Sequence, residues 1–139
     1  MKQVLIPFCF FIFFIPGCFN HRYKKDILNG YALYAYEANE DMTLMHFDKY
    51  GGLDIITPTV FSIGYNKDFI IAKQHPTIYP AKENKSITNY FIVPLKQPVK
   101  WTDQEIGIGP LTESEFIKMR KKLNVADSLN FSIIYDDVK

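Results

Sequence analysis

Cysteine is scarce in this 139-residue chain: there are two, Cys9 and Cys18, and both lie in the first eighteen positions. The remainder can build neither a disulfide framework nor a thiolate metal site. Charge of one sign is also missing, since 16 basic residues face 15 acidic ones for a net +1. Without a basic excess there is no electrostatic footprint for a nucleic-acid partner. No apolar run is long enough to span a membrane. The run at residues 4–15 has twelve residues, none of them charged, against about 20 needed for a hydrocarbon core of roughly 30 Å. No repeat of 20–50 residues and no low-complexity tract occurs, which excludes solenoids and arrays. With 47% hydrophobic, 16% aromatic and 22% charged residues, the chain is too apolar for disorder and too charged for a multi-pass membrane protein.

What is present at the amino end has an order of its own. Lys2 gives a positive start, residues 4–15 form an apolar run, and Ile15-Pro16-Gly17-Cys18 follows. The run fits the hydrophobic region of an export signal. The tetrapeptide resembles the lipobox of bacterial lipoproteins, with an aliphatic residue three before the cysteine and a small one directly before it; Pro16 departs from the usual pattern. That resemblance implies cleavage after residue 17 and acyl chains, palmitate among them, on Cys18. Acyl chains at about 0.8 kcal/mol per buried methylene exceed what stable anchoring requires. The organisation expected is therefore a signal peptide at 1–17, a lipidated polar tether at 18–25, and one domain at 26–139. Removing 17 of 139 residues leaves 122, enough to bury roughly 65% of the unfolded surface without disulfides. His21, Arg22, Lys24 and Lys25 belong to the tether, as a solvated leash near the headgroups.

The body reads as strands, one helix and a last strand. Tyr31, Leu33 and Ala35 share one face of a first strand, and Met42 to Asp48 alternate in a second. Gly51-Gly52 and Thr57-Pro58-Thr59 read as turns. Residues 60–65 and 69–75, joined by Asn66-Lys67-Asp68, predict a hairpin ended by Pro76, with Gly64 at a point of close packing or unusual backbone. Residues 88–95 predict another strand, and residues 96–110, with the single Trp101, an irregular segment. The period then changes. Thr112 and Glu115 have the spacing of a capping box, and Leu111 and Phe116 that of a hydrophobic staple. Phe116, Met119 and Leu123 form an inward stripe, Arg120, Lys121 and Lys122 face the negative end of the helix dipole, and Asn124 can cap the end. A final strand is expected over 129–135. The fold class expected is α+β: an antiparallel sheet of about six strands with one late helix packed on it.

Chemistry-bearing motifs are few. His46 and His75 fall on different strands with no ligand cluster around them, so no metal and no cofactor is expected. No serine stands in a Gly-x-Ser-x-Gly context, and Gly107-Ile108-Gly109-Pro110 lacks the lysine of a phosphate loop. Glu40-Asp41 and Asp136-Asp137 sit in a turn and a tail, where solvated charge is the ordinary state. Tyrosine is the abundant functional type, with nine in the chain. A tyrosine joins a large apolar ring to a polar tip, which suits interfaces as well as cores. Tyr34, Tyr36, Tyr65 and His75 are the partner-binding candidates. His75 beside a carboxylate is also the one conceivable catalytic pair.

Ile63-Gly64-Tyr65-Asn66 with residues 69–76, then residues 88–95, then Gly109-Pro110-Leu111-Thr112 with Glu115 and Phe116, resemble the blocks of an uncharacterised family of small bacterial lipoproteins, a domain of unknown function. The similarity runs from about Ile27 to Tyr135. It implies no catalytic residues, and it leaves Gly64, Asn66, Gln74, His75 and Pro110 as turn and loop residues. The function expected is a membrane-anchored lipoprotein of the cell envelope, a non-enzymatic binding module with an envelope protein partner. The alternatives are an enzyme acting on an envelope polymer and a structural envelope component.

Overall fold

The computed structural model describes residues 23–77, 83–95, 99, 106–137 and 139. The expected signal peptide at 1–17, Cys18 and Trp101 lie outside them. Nine strands and one helix are built from these residues. The first hairpin pairs β1 (Tyr23–Leu28) with β2 (Tyr31–Ala35) across Asn29-Gly30. Both turn residues have positive φ, 53° and 83°, the combination a tight primed turn needs. Gly30 is doubly constrained, because a Cβ there would lie 2.7 Å from the Phe47 carbonyl oxygen. A short 3-10 turn, Asn39–Asp41, leads to β3 (Thr43–Asp48), which pairs with β2 and with β4 (Gly51–Ile56).

After Thr57-Pro58-Thr59 the chain starts a second sheet with β5 (Val60–Tyr65) and β6 (Phe69–Gln74). The hairpin is as the sequence predicts. Its turn is held by Asn66, whose Oδ1 accepts from the Asp68 and Phe69 amides, both at 2.9 Å. Then come β7 (Asn89–Pro94), β8 (Ile108–Leu111), the helix α1 (Glu113–Lys122) and β9 (Ile133–Ile134). All pairings are antiparallel, in the orders β1-β2-β3-β4 and β8-β7-β6-β5-β9.

The single sheet of about six strands is thus replaced by two sheets of four and five. The physical reason lies in the apolar residues on both faces of β6 and β7. Ile70, Ala72, Phe91 and Val93 pack with Tyr31, Leu33, Leu44 and Ile56 of the first sheet. Their neighbours Ile71, Tyr90 and Ile92 point the other way and pack with Phe116 of α1 and with Val125 and Leu129 beyond it. Two buried faces need two covering layers, a sheet on one side and a helix on the other. Each fully buried aliphatic side chain stabilises by about 1.5–3 kcal/mol.

Other expectations shift locally. Gly51-Gly52 is not a turn but the start of β4; the turn is Lys49-Tyr50, where Asp48 Oδ1 accepts from the Tyr50 and Gly51 amides. Residues 108–110, expected to be irregular, join Leu111 in β8, which pairs with β7. Gly64, Gln74 and Pro110 are strand residues of β5, β6 and β8. The strand expected over 129–135 contracts to Ile133–Ile134. Tyr23, Lys24 and Lys25, expected in the tether, open β1, where the Lys24 ammonium lies 4.7 Å from the Phe47 ring centroid and 3.0 Å from Asp26. The capping box is present in both directions. Beyond the helix Asn124 takes a left-handed φ of 54°, and the Arg120 guanidinium donates to the Ala126 and Leu129 carbonyls at 2.8 and 2.9 Å. Gly64 is a point of close packing, as expected: a Cβ there would lie 2.1 Å from the Asn130 carbonyl oxygen.

Candidate functional site

A cleft of about 1000 Å³ is lined by residues of both sheets, beside the link Thr57-Pro58-Thr59. Strand periodicity positions its wall. Gln74 follows Ile70 and Ala72 on the face of β6 that looks toward the first sheet, and Asn89 lies opposite it on β7. The Gln74 side-chain amide donates to the Thr57 and Pro58 carbonyls at 3.0 and 3.1 Å and reaches the Thr57 hydroxyl at 3.2 Å. Its own oxygen accepts from the Asn89 amide at 3.0 Å. Thr59 is pinned as well: its hydroxyl donates to the Glu40 carbonyl at 2.6 Å, and its backbone exchanges two hydrogen bonds with His75. A buried amide satisfied on every side fixes the local geometry. The link between the sheets is therefore a rigid part of the wall.

Two kinds of side chain complete the described lining. Ile55, Ile56, Phe91, Pro76 and Pro110 give an apolar floor, and Glu40, Asp41 and Glu83 are acidic residues of the same lining. No Lys, Arg or His is among these described lining residues. The surface can accept hydrogen bonds from a cation and bury an apolar body. Among the described residues no group of three His, Cys, Asp or Glu could hold a metal ion, and no helix is long and apolar enough to cross a membrane.

The four residues singled out in the sequence do not converge. Tyr34 and Tyr36 meet edge to face with ring centroids 4.8 Å apart, and Tyr34 also neighbours Phe47 at 6.0 Å. They form a small aromatic group at the first sheet, with Tyr36 exposed. Tyr65 is exposed at the end of β5, in the other sheet. His75 is only 3% exposed and so is no surface contact. It stacks on Phe61 at 4.2 Å, and its Nδ1 lies 2.7 Å from the Ile87 carbonyl. A carbonyl only accepts, so Nδ1 carries the proton; Nε2 is buried with no partner among the described residues. His75 is thus not in the described lining of the cleft. Burial holds the Tyr31 and Tyr90 phenols above the ordinary tyrosine range, with the Glu113 charge adding to the effect at Tyr90. Burial and the Tyr23 hydroxyl do the same, more strongly, at Tyr135.

Sequence reasoning missed Gln74, Asn89 and Thr57 as a unit. A signal existed: two amide residues closing adjacent apolar strands, one of them just before His75-Pro76, are costly there unless they pair with each other.

No curated protein and no solved structure matches the chain. A family model does match, over residues 28–138, from the last residue of β1 to the charged tail; the chain belongs to this family, described as a protein of unknown function (DUF3997).

Proposed function

We propose that the chain is a lipid-anchored protein of the cell envelope whose domain captures an envelope partner in the inter-sheet cleft without transforming it. The observation that carries the binding half is the fixed wall of the cleft, where Gln74 joins the Thr57-Pro58 backbone to Asn89. Pre-formed concave sites with an apolar floor and a few oriented polar groups are the usual form of binding pockets. The binding reading is favoured over the enzymatic one by His75, the base named for the latter, being 3% exposed and stacked on Phe61. The anchoring half is carried by the order of Lys2, the apolar run and Cys18.

Each half has its own test. For binding, a photo-crosslinking residue at Thr77, at the cleft, should give an adduct in cells, while the same residue at Ile117, on the exposed face of α1, should give none. Adducts at both positions or at neither would remove the cleft from consideration. For anchoring, intact-mass measurement should find a chain starting at Cys18 with added acyl mass. A chain retaining Phe8 to Gly17, or one starting later without lipid, would overturn it.

A further inference from the structure

Resting on that reading, we propose that the occupant of the cleft is a peptide segment carrying lysine or arginine beside an apolar side chain. The argument is charge complementarity over an apolar floor. Glu40 and Asp41 come from the 3-10 turn before β3, and Glu83 from the segment before β7. Three acidic residues therefore line one cleft from two separate stretches of chain, with no cationic residue in the described lining. Asp26, Asp68 and Asp136 elsewhere each have a lysine within 4.0 Å. Like charges gathered at a cleft with low-dielectric walls focus a negative potential into it. An anionic ligand such as a phosphate or an acidic polymer would be repelled there.

The floor sets the second requirement. Ile56 and Phe91 are core residues at the back of the cleft, and a bare cation would leave such surface uncovered. A volume of about 1000 Å³ stands at the top of the range of roughly 300–1,000 Å³ for small-molecule sites. It exceeds what one side chain fills and suits several residues of peptide.

The test uses the full chain held in nanodiscs of zwitterionic lipid, with three dye-labelled, end-capped pentapeptides in which leucine alternates with lysine, glutamine or glutamate. The lysine peptide should bind saturably, more tightly than the glutamine peptide, and the glutamate peptide should not bind. The double variant Glu40→Gln, Asp41→Asn should weaken the lysine peptide by about fivefold or more, the effect of two partly solvated ion pairs. Asp127→Asn, beyond the helix on the other side of the second sheet, should leave it unchanged. Thr77→Trp, a bulky residue in the lining, should weaken all binding. Equal affinity for the lysine and glutamine peptides, an unchanged double variant, or no saturable binding would each overturn the charge assignment. A Thr77 adduct formed in cells in any of those cases would still leave the binding reading standing, so the two failures are distinguishable.

Discussion

The two sheets solve the same burial problem by different means. The five-stranded sheet has a layer on each side, the first sheet against Ile70 and Ala72 and the helix against Ile71 and Ile92. Among the described residues, the four-stranded sheet has one. Yet Ala32, Thr43 and Met45, on the face it turns away from the core, are also buried. Larger neighbours shelter this face: the Met45 and Phe47 side chains lie over Gly52, and Tyr34 packs beside Phe47. One sheet is covered by a packed layer, the other by flexible side chains from its own strands. A layer cannot yield without moving backbone, whereas a side chain can change rotamer. Substitutions should therefore be felt more strongly in the second sheet.

The largest expected difference tests that directly. Ile71→Ala, between the sheet and Phe116, should cost about 3 kcal/mol through lost transfer energy and a residual cavity. Phe47→Ala, half-buried on the outward face, should cost about 1 kcal/mol. Urea midpoints of the two variants measure this, and equal losses would erase the distinction. Next come two glycines. Gly64→Ala forces a Cβ onto the Asn130 backbone and should cost about 2 kcal/mol. Gly52→Ala meets only the ends of Met45 and Phe47, at 2.8 Å, and should cost less than about 1 kcal/mol. If Gly52→Ala proved the more damaging, the outward side chains would have to be as fixed as backbone.

Smaller still is the helix cap. Thr112→Ala removes the hydroxyl that accepts from the Glu115 amide and should lower stability by about 1 kcal/mol. Amide exchange should speed up in α1 before it does in β1–β4. Uniform acceleration would mean that the two coverings unfold as one unit.

The weakest effect is with pH. Tyr31, Tyr90 and Tyr135 bind their protons more tightly folded than unfolded. Their contribution is complete below the unfolded value of about 10 and is lost as pH rises through the folded values. Stability should decline above about pH 10, and Tyr135→Phe should make that decline shallower. A slope identical to wild type would leave the Tyr135 hydroxyl without a role in it.

What the sequence made legible was local. The Asn66 turn and the Thr112–Glu115 box depend on residues within three positions of each other, and both appear as expected. Strand β4 was hidden because Gly51-Gly52 has the composition of a turn, and β8 because Pro110 lacks a ladder donor. The division into two sheets was not legible, since it depends on which strands decline to pair: β4 and β5 follow one another across three residues yet belong to different sheets. For the same reason the cleft was invisible. Its wall joins Thr57, Gln74 and Asn89 through tertiary hydrogen bonds, while the exposed tyrosines, the conspicuous feature of the composition, are divided between the sheets.

One contact carries a topological consequence. The Tyr23 and Tyr135 hydroxyls lie 2.9 Å apart, with their rings edge to face, so the first strand and the last turn of the domain meet. The path of the chain is close to a ring, made of two blocks, residues 23–56 and 60–134, each of which completes its own sheet. Such a ring can be sealed and reopened elsewhere. A circular permutant joining residue 139 to residue 23 through a short glycine linker, and opened between Lys67 and Asp68, should keep both sheets. Its new ends would then leave from the tip of the β5–β6 hairpin.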